Sequence, residues 1–259
     1  MKKLLSIVLL SLLATVYSQE ILKIEYESKM LMDENAIDDM LSNIKTDKEG
    51  PLNPEIGRAL VEAMNKPSYY ELRLNAQESQ FKMIERISNE QPNESNVHVE
   101  IMAGGSGVAY KNINENLFLR AEEGFGKNFI IEDELREYGW KITRETKEIL
   151  GYEVRKATAE VDEDNTIEAW YAPKLPYKNG PKNYQGLPGL ILEIVEIHKK
   201  ETGESKYIHL AVSIEIDKDQ SEIKPPHKGQ KISQEDYLKL MNEHMEKMRE
   251  MQGSGVDKN

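Results

Sequence analysis

Met241, His244 and Met248 stand three and four residues apart near the C-terminus, which places one imidazole and two thioether sulfurs on a single helical face. Sulfur and imidazole together suit cuprous copper, so this tail is a candidate copper-handling segment, with Met245 and Met251 beside it. The same pattern also describes adaptable packing or a partner-binding surface, because Met fills irregular gaps. The five histidines include no His-Glu-x-x-His pair and no compact zinc spacing. Ala103-Gly104-Gly105-Ser106-Gly107 lacks the Lys-Ser/Thr that a phosphate loop needs and reads as a hairpin turn. Asp162-Glu163-Asp164-Asn165 clusters oxygen ligands but lacks the central Gly and distant Glu of a calcium loop, so it reads as a solvated hairpin tip. With 46 acids in the chain, no single carboxylate pair points to hydrolysis. No cofactor is expected.

The elements that would position such residues begin with a leader. Lys2-Lys3 followed by the apolar stretch Leu4 to Val16 has the form of a secretory signal peptide, with cleavage expected after Ser18. The stretch is too short to span a bilayer, and no transmembrane segment is expected once it is removed. The chain has no Cys, which excludes disulfides, thiolate metal sites and a lipidated cysteine. Loss of Lys2 and Lys3 takes the formal charge from -12 to about -14, which disfavours nucleic acid as a partner. A periplasmic or secreted location is expected.

From Leu22 the chain alternates apolar and polar residues, as a half-buried strand does, and between about residues 33 and 66 the period becomes helical around a Gly50-Pro51 break. Short alternating runs then follow one another to Ile216, separated by Gly, Asn and Asp turns: this predicts a mainly β (α+β) fold, a curved antiparallel sheet or half-open barrel with a helical insertion. Glu132-Asp133-Glu134 predicts the first turn of a short helix before Trp140. The expected domains are a leader at 1–18, a β domain at 19–223, and a linker plus Met-rich helix at 224–259, entered through Lys224-Pro225-Pro226 and capped at Ser233.

Trp170-Tyr171, Gly180-Pro181 and Gly186-Leu187-Pro188-Gly189-Leu190-Ile191 carry no group able to make or break bonds. Read physically, they form a Pro/Gly corner that feeds a strand buried on both faces, with Leu190, Leu192 and Ile194 on one side and Ile191, Val195 and Ile197 on the other. Gly189 is placed where backbones approach closely. Together with Trp140-Lys141-Ile142, Gly151-Tyr152 and Pro176, these residues resemble the GLPGLI (Porph_ging) family of exported proteins from Bacteroidota-type bacteria. The resemblance covers mainly Trp140 to Ile197. The family usually carries a Cys shortly after the Gly-Tyr dipeptide, where this chain has Val154. The resemblance implies an envelope or secreted location and brings no activity or catalytic residues with it.

The leading expectation is therefore a non-enzymatic envelope binding or accessory protein that holds an apolar ligand or docks an envelope protein, with an apolar cavity or exposed apolar groove and no converging polar triad. Copper handling through the tail is one alternative. An uncharacterised hydrolase, which a Ser-His pair in a pocket would favour, is the other.

Overall fold

The computed structural model of the protein describes residues 20–43, 54–84 and 107–253. The leader, the run Val97 to Met102, the start of the Gly-rich turn and the end of the tail lie outside the described residues.

Among the described residues, twelve strands form one sheet in the order β12-β6-β5-β4-β3-β2-β1-β11-β10-β9-β8-β7. They are β1 (Leu22–Met32), β2 (Ser68–Leu74), β3 (Glu78–Ile84), β4 (Val108–Asn112), β5 (Leu117–Gly124), β6 (Lys127–Glu134), β7 (Lys141–Ile149), β8 (Tyr152–Glu160), β9 (Asn165–Ala172), β10 (Leu190–Lys200), β11 (Gly203–Ile216) and β12 (Gln230–Ser233). Every pairing is antiparallel except that of β12 with β6. The sheet is not closed, yet residues of β6 near one end and β9 near the other line one cavity, so the sheet curls strongly. Leu135 to Trp140 runs from the end of β6 to the start of β7 and so spans the opening. This corrects the helical turn predicted at Glu132-Asp133-Glu134: those acids end β6, because Phe129 to Ile131 pair with β5 and carry the strand through them.

The helical insertion consists of α1 (Glu34–Asn43) and α2 (Pro54–Asn65), which pack against β11 and β1. Its entry is fixed by Asp33, whose Oδ1 accepts from Ala36 N–H at 2.8 Å as an N-cap, while Oδ2 accepts from Glu204 N–H at 2.8 Å across the β10–β11 turn.

The chain after β11 stays on the sheet. Asp217 accepts from Arg73 Nε at 2.5 Å, and Arg73 Nη2 donates to the carbonyls of Asp219 at 2.8 Å and Ser221 at 3.1 Å. This clamp seats Ile223 among Ile21, Tyr110, Leu119 and Ile130 on the outer face of β4 to β6. Arg73→Met is expected to cost about 2 kcal/mol or more, since each bond from a charged donor is worth roughly 1.5–3 kcal/mol. Amide exchange should speed up across residues 217–224 before the rest of the sheet; uniform exchange would show that the clamp does not hold this segment.

Helix α3 (Gln234–Gly253) begins at Ser233, whose Oγ accepts from Asp236 N–H at 3.0 Å. Tyr237 then packs its ring on Phe129, with centroids 5.5 Å apart, in a cluster with Ile131. Phe129 and Ile131 pair with Glu122 and Arg120, so α3 covers the inner face at the β6 end.

Candidate functional site

The inner face converges on His209. Its position in β11 lies opposite Ser28 of β1 and Ile194 of β10, and the next inward pair is Tyr207 with Glu196. Period-two alternation therefore puts Ser28, His209, Tyr207 and Glu196 side by side. The His209 ring is 1% exposed and edge-on to three aromatic rings, with centroids 5.8 Å away for Tyr70, 5.9 Å for Phe81 and 4.7 Å for Tyr207. This burial holds the imidazole well below its ordinary range, and the Lys182 charge acts in the same direction, so His209 is neutral.

Ser28 Oγ hydrogen-bonds His209 Nδ1. His209 Nε2 is buried with no hydrogen-bond partner and lies 4.0 Å from Glu196 Oε1. The carboxylate favours the tautomer with the proton on Nε2, in which the Ser28 hydroxyl donates to Nδ1. The Tyr207 hydroxyl is also buried without a well-formed hydrogen bond, although Tyr70 and Ser28 lie close, and burial pushes its pKa up.

Opposite these strands stands the connection between β9 and β10. Lys182 sits in a left-handed conformation (φ 48°) and places Nζ 2.8 Å from Glu196 Oε1 and 5.2 Å from the centre of the Tyr207 ring. The turn is held from beneath by Lys111. This side chain is 1% exposed and its Nζ donates to Gly180 O at 2.7 Å and Tyr184 O at 2.9 Å. Asn179 tightens the same turn, its Oδ1 accepting from Gly180 N–H at 2.8 Å and from Ser79 Oγ at 3.2 Å. Tyr184 packs on Tyr138 at 5.1 Å between ring centres, and so joins the turn to the segment that spans the opening.

Between these walls is a cavity of about 780 Å³. Tyr70, Phe81, Tyr138, Tyr184 and Ile167 give it apolar surface, while Lys182, Glu196, His209 and Arg120 give it polar groups. Arg120 Nε is 3.1 Å from Glu122, and its Nη2 donates to Gln234 at 3.3 Å, which brings the start of α3 to the cavity wall. The cavity is thus more polar than the apolar cavity or groove expected: inward strand positions carry polar residues where β10 and β11 meet, and these converge.

The motif residues lie around the corner that supports this site. Gly186 adopts φ 94°, and Trp140 Nε1 donates to the adjacent Gln185 O at 2.9 Å. Leu187 is buried with Tyr171 and Ile191, while Pro181 is buried and Pro188 exposed. Gly180 and Gly189 sit where Cβ atoms would meet Ile191 Cβ at 2.8 Å and Ala172 O at 2.3 Å. Leu190 pairs with Ala172, and Trp170 pairs with Glu193, its ring 4.2 Å from Lys147 Nζ. A bulge between Ile191 and Glu193 corrects the expected alternation, since it puts Ile194 on the side of Ile191 rather than that of Leu190. Tyr26 Oη, donating to Ile191 O at 2.6 Å, holds that bulge.

On α3, Met241 is exposed and the His244 ring lies 4.2 Å from that of Phe125, so this imidazole takes part in packing. The Met248 side chain lies outside the described residues. Among the described residues, no group of three or more His, Cys, Asp and Glu side chains is placed to hold a metal.

Two structures of PNGF-II, in C2 and P21 crystals, are similar to this chain. Identities are 20% and 21%, TM-scores are 0.50 for both, and coverage is 86% and 85% of this chain but 32% and 33% of theirs. The chain therefore spans about a third of the length of those proteins, and the likeness shows the fold alone. No curated protein matches the sequence. Residues 159–193, from β8 through the corner into β10, match the Porph_ging family, described as a protein of unknown function, which is the family that the GLPGLI motif indicates.

Proposed function

We propose that this is an exported binding protein of the cell envelope that holds a small ligand in the cavity on the inner face of its sheet. The observation that carries the reading is a cavity of about 780 Å³ walled by aromatic rings and lined by His209, whose Nε2 is buried with no hydrogen-bond partner. That volume suits a ligand of ordinary small-molecule size, and polar groups set among aromatic ones are what such sites use for orientation. Binding is favoured over hydrolysis by the placement of Ser28. Its hydroxyl is turned to His209 Nδ1 behind the ring, Ser28 is 1% exposed, and it is not among the residues that line the cavity. The Ser-His pair therefore fixes the imidazole and presents no nucleophile. No helix among the described residues is long and apolar enough to cross a membrane.

Ala109 lines the cavity and is nearly buried, so Ala109→Trp fills part of the space at a cost of about 1–3 kcal/mol in packing strain. Protein isolated from its native envelope and denatured in a mass spectrometric assay is expected to release one recurrent small molecule. Ala109→Trp should release none while still melting cooperatively. Equal release from both, or none from the unmodified protein, would overturn the reading.

A further inference from the structure

We propose that the cavity selects an uncharged ligand through a hydroxyl group lodged between His209 Nε2 and Glu196 Oε1, with the ligand's apolar ring against Tyr70 and Phe81. The inference rests on the binding function above and names the chemistry of that site.

Three observations carry it. The 4.0 Å between Nε2 and Oε1 is too long for a direct hydrogen bond. It is short enough for one oxygen, about 2.8 Å from each, to accept from the imidazole and donate to the carboxylate. A hydroxyl does both, whereas a carboxylate ligand has no proton to donate and an ammonium has no lone pair to accept with.

The cations nearest His209 and the start of α3 are already matched, while Arg136 at the rim lies over the Tyr138 ring, 5.5 Å from its centre. Lys182 Nζ is 2.8 Å from Glu196 and Arg120 Nε is 3.1 Å from Glu122. A ligand carboxylate would meet Glu196, and a ligand ammonium would meet Lys182, each as a like charge in a setting of low dielectric. An uncharged group leaves both pairs intact.

Finally, one buried polar atom, His209 Nε2, has no hydrogen-bond partner within a ring of aromatic surface, and the Tyr207 hydroxyl beside it has no well-formed one. Leaving such a group unpaired in a buried place is costly, and the cost is recovered when a ligand hydroxyl arrives. The stacked pair Tyr70 and Phe81, 5.0 Å apart with planes 3° from parallel, gives a flat apolar wall beside it.

Four matched probes test this: benzyl alcohol, benzoate, benzylamine and toluene, titrated into the purified protein and followed by the imidazole resonances of His209 and the ring resonances of Tyr70 and Phe81. Benzyl alcohol is expected to bind about tenfold more tightly than toluene, as two net hydrogen bonds allow, and more tightly than either charged probe. His209→Phe should bring benzyl alcohol to the level of toluene, and Glu196→Gln, which keeps an acceptor oxygen but loses its charge, should weaken it part of the way; both should leave toluene unchanged. Tyr207→Phe, which removes only a hydroxyl, guards against loss of folding in the His209 variant and should weaken the alcohol without affecting toluene. Equal binding of alcohol and toluene would mean that water occupies the gap, and tighter binding of benzoate or benzylamine would mean a charged ligand. Either result overturns the hydroxyl inference and leaves the cavity reading standing. No perturbation of Tyr70 or Phe81 by any probe removes both.

Discussion

Gly189→Ala is expected to lower the thermal midpoint by about 10 °C, whereas Gly186→Ala, three residues earlier in the same motif, should lower it by only about 3–5 °C. The difference comes from what each new methyl would meet. At Gly189 a Cβ would lie 2.3 Å from Ala172 O, 2.7 Å from Ala172 C and 3.0 Å from Pro173 Cα, all of them backbone atoms. They cannot move without breaking the Leu190–Ala172 pairing and the hydrogen bond from Leu175 N–H to Ala172 O, 3.1 Å long, which together start β10. A clash of this kind belongs with severe overpacking, about 3 kcal/mol, and in a domain of this size each kcal/mol moves the midpoint by roughly 2–4 °C. Gly186 has the opposite problem. Its φ of 94° disfavours any side chain, but the nearest atom to a Cβ there is Trp140 Nε1 at 3.8 Å, so only conformational strain of about 1–2 kcal/mol applies. Melting followed by circular dichroism separates the two, and a Gly189→Ala midpoint within 3 °C of the unmodified protein would remove close backbone approach as the reason for that glycine.

This contrast shows what kind of information the motif held. Gly, Pro and large apolar residues report backbone geometry, and the tight corner, the close approach at Gly189 and the start of β10 could be read from them directly. The alternation of β1, β5 and β11 and the helical spacing of Ala36, Ile37, Met40 and Leu41 were likewise local signals, which is why the curved sheet and its helical insertion were legible. The bulge between Ile191 and Glu193 was not, because a single extra residue leaves an apolar run looking continuous while it reverses which face each later side chain takes. The site was hidden for a different reason. Ser28 and His209 are 181 residues apart and Lys111 is 69 residues from Gly180, so only strand pairing joins them. A signal did exist: Lys111 follows Ala109 at the next inward position of β4, and His209 lies between Tyr207 and Ala211 on the inward side of β11. A polar residue in an inward register is costly, and it marks a network whose partners lie elsewhere in the chain. The tail carries His and Met at helical spacing, yet the His244 ring lies tilted against Phe125 while the solitary His209 lines the cavity.

Lys111→Met should then separate the support of the site from the stability of the sheet. Methionine nearly preserves the volume, so the packing loss is small, but the carbonyls of Gly180 and Tyr184 lose their donor in a buried place at about 1–3 kcal/mol each. Part of that cost is offset because the variant no longer desolvates an amine, whose pKa burial lowers well below 10.5. The net loss of stability near neutral pH is therefore expected to be about 2 kcal/mol, while ligand affinity should fall by about tenfold or more, because the freed turn carries Lys182 and Tyr184 away from Glu196 and Tyr138. The pH dependence identifies the lysine itself. In the unfolded chain Lys111 holds its proton up to about pH 10.5, and in the folded protein it gives the proton up at a lower pH, so the unfolded state binds more protons between those two values. The unmodified protein should gain stability relative to Lys111→Met as pH rises through that window, with no further gain above 10.5. Denaturant titrations of both proteins from pH 7 to about 11 read this difference directly. A constant difference across that range would mean that Lys111 folds with its proton in place, held by the two carbonyls; a difference that grows with pH would mean that a neutral amine, with two N–H donors for two acceptors, is the form that holds the corner over the cavity.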